Sequence, residues 1–145
     1  MAPIIRSVLI LILFVILPVS ICISFADRVL VEIINGVMVD LNAHCKSKDD
    51  DLGLQKLRGD SPIGIFRFSF VPNIWGTTLY HCSFAWKQES HHFDIFVSKR
   101  DEGKCRSCSW VILADKPCRF NDTSHQFDIC YPWKDPVSVH NYIHI

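Results

Sequence analysis

The chain carries no excess of either charge. It holds 15 Lys and Arg against 15 Asp and Glu in 145 residues, and no basic stretch gathers on one segment. A nucleic-acid partner needs a clustered basic face to neutralise phosphates, so none is expected. Glycine is scarce, at six residues, and none forms a phosphate-cradling loop. No serine sits in a nucleophile elbow. Beyond residue 26 no run is long and apolar enough to span a bilayer, so no stable membrane insertion is expected. Amphipathic helical periodicity, internal repeats and low-complexity tracts are all missing. The length suits one domain. These absences point to a folded, non-catalytic chain without a cofactor or a metal.

What is present begins with Met1–Ala26. This segment has no acidic residue, one arginine (Arg6) and a ten-residue apolar run from Val8 to Leu17, broken by Pro18. Ser24 and Ala26 place small side chains before Asp27. The pattern is that of a secretory signal peptide cleaved before Asp27. A signal anchor is the rival, because apolar residues continue to Ile23, and Pro18 with the small-residue site argues against it. The mature chain carries a net charge of −1 with histidine neutral.

One of the seven cysteines, Cys22, leaves with the signal. The remaining six are Cys45, Cys82, Cys105, Cys108, Cys118 and Cys130. An even count in a small secreted domain predicts three disulfides. Cys105 and Cys108 have zinc-ligand spacing, but an oxidising compartment disfavours thiolate ligands. Their stretch runs into a strand pattern rather than a helix, which disfavours a thioredoxin-like redox role. Cys118 and Cys130 flank a turn cluster and are expected to pair across a hairpin. Cys82 is then expected to join one of Cys105 and Cys108, and Cys45 the other.

Short alternating segments dominate the mature chain. Arg28–Asn35 is β-branched, and Asn35-Gly36 predicts a tight hairpin to Val37–Lys46, in which Cys45 points inward. The stretch His44–Gly53, HCKSKDDDLG, reads as a solvated acidic turn. Its aspartates are adjacent rather than alternate, which does not fit an EF-hand loop. Leu54–Leu57 is a short extended piece, and Asp60-Ser61-Pro62 breaks the pattern. In Gly64–Phe70 the side chains of Phe66, Phe68 and Phe70 share a face. In Thr77–Trp86 the shared face is Tyr80, Cys82, Phe84 and Trp86, an aromatic stripe typical of a core. Lys87–His92 reads as a polar loop, Phe93–Ser98 as a strand and Lys99–Lys104 as a charged turn. Strands around Cys108–Leu113, Cys118–Phe120 and Gln126–Tyr131 follow, then a loose tail at Lys134–Ile145. Seven to eight short strands predict an all-β fold, a small antiparallel β-sandwich stapled by disulfides and spanning residues 27–133.

The seven histidines raise a small secreted hydrolase or nuclease as the alternative function. No histidine falls in a motif that supports it, and the neutral charge offers no field for a polyanion. Asn121-Asp122-Thr123 is an N-glycosylation sequon in a turn, which makes Asn121 a candidate modification site. Partner specificity is expected in the exposed loops Lys87–His92 and Lys99–Lys104.

Several stretches together resemble one family. HCKSKDDDLG is followed by NIWGTTLYHCSFAW at Asn73–Trp86, FDIFVSKRD at Phe93–Asp101, CRSCSW at Cys105–Trp110 and PCRFNDTSHQFDICYPW at Pro117–Trp133. The chain resembles the plant self-incompatibility protein S1 family, the S-protein homologues, over nearly all of Val29–Trp133. The resemblance implies a secreted β-sandwich that acts as a small extracellular signalling or recognition protein. Its partner would be a cell-surface receptor, in self-incompatibility or related reproductive or developmental signalling; separately, the chain is expected to be a monomer. It implies no catalytic residues.

Overall fold

A computed structural model describes residues 2–26, 28–60 and 64–134, the first segment with side chains to residue 15 only. The expected tail from 135 and the break at Ser61-Pro62 lie outside the described residues. The elements are α1 (Ala2–Ala26), β1 (Val29–Asn35), β2 (Leu41–Lys46), β3 (Asp51–Leu57), β4 (Ile65–Phe70), β5 (Leu79–Trp86) and β6 (Glu89–Val97). The single-turn α2 (Ser98–Asp101), β7 (Ser107–Ile112), β8 (Pro117–Asn121) and β9 (Gln126–Cys130) follow. Among the described residues no helix is long and apolar enough to cross a membrane.

The strands form two sheets, β4-β1-β7-β8-β9 and β3-β2-β5-β6. The expected all-β, disulfide-stapled fold is thus observed, with nine described strands rather than seven or eight. Neighbouring strands run antiparallel, except that β1 lies parallel to β7. Period-two alternation puts one side of each sheet inward. Val31 and Ile33 of β1, Trp110 and Ile112 of β7, Leu41 and Ala43 of β2, and Phe84 of β5 are fully buried. The stripe read from β5 sits as expected: Tyr80, Cys82, Phe84 and Trp86 are buried. Phe66, Phe68 and Phe70 stack along β4 and meet Tyr80 and Phe96 across the interior, with ring centroids 4.5–6.0 Å apart.

The Asn35-Gly36 hairpin is not there. β1 and β2 belong to different sheets, so this dipeptide is a corner between them. The Asn35 amide donates to the carbonyls of Val39 (2.7 Å) and Leu57 (3.0 Å), and its Oδ1 accepts from Val37 N–H at 3.0 Å. Gly36 N–H donates to the Ile112 carbonyl at 2.9 Å. A Cβ on Gly36 would lie 2.8 Å from that carbonyl oxygen, so glycine is needed here for close approach. The positive φ of the corner falls on Met38, at 64°. A side chain that satisfies three backbone groups outweighed the local turn preference.

β6 departs from alternation as well. Its register against β5 shifts beside Tyr80, so Ile95 is an extra residue and Phe93, Ile95 and Phe96 are all buried. The described cysteines form three disulfides: Cys45–Cys82, Cys105–Cys108 and Cys118–Cys130. The last is the pairing expected across the β8–β9 hairpin. The expected links from Cys82 and Cys45 to Cys105 and Cys108 are replaced. Cys45 and Cys82 are register partners on β2 and β5, with Cα atoms 4.0 Å apart, while Cys105 and Cys108 close the turn into β7 of the other sheet.

Candidate recognition surface

The two loops expected to carry specificity combine exposed residues with inward ones that tie them to the fold: Lys87–Ser90 are exposed, as are Lys99 and Glu102–Lys104. Lys87–His92 is mostly strand: β6 begins at Glu89, and the connection is a two-residue turn with Lys87 at φ 51°. In the Lys99–Lys104 turn Arg100 and Asp101 face inward. Asp101 is 0% exposed. Its carboxylate accepts hydrogen bonds from Val97 N–H (2.9 Å) and from Arg100 Nε (2.9 Å) and Arg100 NH2 (2.7 Å). Arg119 stands 3.6 Å away. The Arg100 guanidinium lies 4.9–5.1 Å from the ring centroids of Phe93, Trp110 and Tyr131. This is a buried ionic centre that joins α2 to both sheets, while Lys99, Glu102, Gly103 and Lys104 of the same turn face solvent.

A cluster of exposed apolar residues lies in the segment between β4 and β5. Ile74 is 90% exposed and Trp75 80%. Val71 and Leu79 flank them, also exposed. The segment is braced from within. Asn73 N–H donates to Thr78 Oγ1 at 2.8 Å, Asn73 Nδ2 to Thr77 Oγ1 at 2.9 Å, and Thr77 N–H to Asn73 Oδ1 at 3.0 Å. Gly76 supplies the left-handed residue, at φ 65°. The two apolar tips therefore stand in water on a fixed backbone, the reverse of what folding alone favours.

Trp75 borders a groove of about 620 Å³. One wall is the turn Lys46–Asp50; the other is formed by Val71, Asn73, Thr77, Thr78 and Leu79, over Phe70 and Tyr80. Ile74 borders a second groove, of about 430 Å³, with Arg28, Glu102 and Arg106. Burial pushes the Tyr80 hydroxyl above its ordinary range, and the charges of Asp50 and Asp49 add to the effect.

With this geometry in hand, comparison with known proteins places the chain. The family described as plant self-incompatibility protein S1 matches residues 30–133. The chain belongs to this family. S-protein homolog 2 of Arabidopsis thaliana is 52% identical over 71% of this chain, and the match spans 66% of that relative. S-protein homolog 3 of the same plant is 41% identical over 77% of this chain and 76% of its own length. S-protein homolog 5 is 42% identical over 65% of this chain and 68% of its own. No solved structure matches.

In this S-protein homologue the HCKSKDDDLG stretch forms the end of β2, a turn and the start of β3. Ser47 Oγ accepts from the N–H groups of Asp49 (3.3 Å) and Asp50 (3.1 Å), which sets the turn. Asp51 points back along the sheet rather than joining its neighbours. It accepts from Gly53 N–H at 3.0 Å and meets His44 at 2.6 Å and Lys46 at 3.2 Å. The Gly53 amide, with His44 and Lys46, holds its carboxyl well below the usual carboxylate range. Among the described residues no group of three or more His, Cys, Asp or Glu is arranged to hold a metal.

The histidines divide between two places. His91 faces the interior end and stacks against Trp86 and Trp133, with centroids 4.9 and 4.8 Å away. His92 faces out and stacks parallel to His81 at 5.6 Å. His81 Nδ1 lies 2.9 Å from Asp94, which also pairs with Lys134. Burial raises the Asp94 pKa, but the Lys134 and His81 bonds outweigh that and hold it below the usual range. Lys134 N–H donates to the His92 carbonyl at 2.9 Å, so the first residue of the expected tail is docked. The adjacent pair His91-His92 thus points to opposite faces, as successive residues on a strand must. Asn121 sits at the β8–β9 turn, where its Oδ1 accepts from Thr123 N–H at 2.9 Å. The Ile74-Trp75 surface was missed at the sequence level, although a Trp and an Ile inside an Asn/Gly/Thr turn cluster signal it: large apolar residues seldom sit in a turn without a partner.

Proposed function

We propose that this protein is a secreted, non-enzymatic recognition protein, a ligand for a cell-surface receptor in self-incompatibility or a related reproductive or developmental signal. Family membership supports the class, and the observation that carries a binding role is the braced display of Ile74 and Trp75. Tryptophan on a rigid support is the side chain that most often anchors a protein interface, because it brings a large apolar area with little entropy to lose. The Ile74→Ser/Trp75→Ser double variant is expected to lose about 30-fold or more of its binding to intact plant cells, a change of ~2 kcal/mol. Its circular dichroism should match the parent, because neither side chain contributes to the core. Undiminished cell binding by a normally folded variant would end this reading.

Residues 1–26 are the signal in this proposal, removed before Asp27, and the sandwich acts outside the cell as a monomer. Asn121 carries the glycan in this proposal, since it stands half-exposed at the β8–β9 turn. Intact mass of the secreted protein, before and after an N-glycosidase, checks both points. The expected result is an N-terminus at Asp27 and a loss of glycan mass confined to the peptide bearing Asn121. A secreted chain that retains Arg6 would refute the processing step.

A further inference from the structure

We propose that the groove beside Trp75 docks a peptide segment of the partner protein that inserts a basic side chain, Arg or Lys, between the indole and the carboxylates of Asp49 and Asp50. This rests on the recognition reading above and adds the chemistry of the occupant. The groove volume, about 620 Å³, is enough for a few side chains. Its apolar lining, Phe70, Val71, Trp75 and Leu79, gives a partner contact area without directional demand.

Charge selects the occupant. Two of the three groups on the rim that can carry positive charge already face carboxylates. Lys46 is 3.2 Å from Asp51, and His81 is 2.9 Å from Asp94. Lys48 then stands against Asp49 and Asp50, which leaves the rim net negative. Burial is the main cause of the upward shift of the Tyr80 hydroxyl at the groove floor, and Asp50 and Asp49 are near enough to add to it. An aromatic face next to carboxylates suits a cation, through its quadrupole and through charge-assisted hydrogen bonds. An acidic or phosphorylated segment would meet two like charges. A purely apolar surface would have to strip water from the same carboxylates without compensation.

The test uses the secreted, processed protein and a displayed library of short random peptides, with Trp75→Ala as the counter-selection. The expected result is recovery of peptides that combine Arg or Lys with an apolar neighbour. Their affinity should fall roughly tenfold in Asp49→Asn/Asp50→Asn and should weaken as salt rises. Peptides that bind through Trp75 but are acidic or uncharged, or that ignore the Asp49→Asn/Asp50→Asn change, overturn the basic occupant and leave the recognition surface standing. Failure to recover any Trp75-dependent peptide overturns the basic occupant in the same way. A Trp75-dependent homodimer in sedimentation would assign the groove to a second copy and also overturn it. Cell binding that survives Ile74→Ser/Trp75→Ser removes the surface and the occupant together.

Discussion

Replacing Asp101 with asparagine is expected to destabilise the fold by about 3–5 kcal/mol, the usual cost of breaking a buried ion pair from one side. The carboxylate is 0% exposed and receives three hydrogen bonds within 2.9 Å, two of them from Arg100. Asparagine keeps the size but loses the charge and turns one acceptor into a donor, which would point at a guanidinium. Arg100 would then lie between Phe93, Trp110 and Tyr131 with its positive charge uncompensated, and Arg119, 5% exposed, would lose the carboxylate at 3.6 Å. A domain of this size has a total stability of about 5–15 kcal/mol, so the variant should show a much lower denaturation midpoint or fail to accumulate. Lys99→Ala, an exposed change on the same turn, should stay within about 0.5 kcal/mol. A midpoint for Asp101→Asn within that same margin would show that the ionic centre does not hold the fold.

The disulfides should rank by the chain they close. Restricting the unfolded chain is the main effect, and it grows with loop length. Cys45 and Cys82 are 37 residues apart, Cys118 and Cys130 12, and Cys105 and Cys108 3. The chain-entropy relation then gives about 4, about 3 and about 1.5 kcal/mol respectively. Paired Cys→Ala replacements, which leave no lone thiol, should lower the midpoint in that order, with Cys45→Ala/Cys82→Ala the most damaging. That pair is also buried and would leave space between β2 and β5, which adds to its loss. If removal of Cys105–Cys108 proved the most costly, local packing of the turn into β7 rather than loop closure would govern the series.

Strand existence was legible in the sequence because inward residues such as Tyr80, Cys82, Phe84 and Trp86 repeat with period two and are apolar. What the pattern could not carry was which strand joins which. Asn35-Gly36 has the local chemistry of a hairpin, yet the Asn35 side chain reaches Val39 and Leu57, residues 4 and 22 positions away, and its bonds fix a corner. Lys87–His92 looked like a loop because its side chains are polar. A polar strand at the sheet end has the same composition, and the register with β5 decides the matter. Arg100 and Asp101 looked like surface charges. Charged residues are seldom buried unless paired, and the partner that makes burial tolerable, Arg119, is 18 residues further on. The six cysteines were legible as a set, whereas their partners follow from the sheets.

The parallel pairing of β1 with β7 sets an order of events during synthesis. Leu30 lies opposite Ser107, so the first strand of the sandwich has no neighbour on that side until most of the domain has emerged. The sheet β3-β2-β5-β6 lies wholly between Leu41 and Val97, and its Cys45–Cys82 bond can close before β7 exists. A nascent chain stopped before residue 107 would therefore expose one edge of β1 and the apolar face of half a sandwich. Such edges recruit other strands, and non-local closure is slow. Closure of Cys45–Cys82 ahead of β7 would leave that sheet already stapled when β7 arrives to cover the open edge of β1.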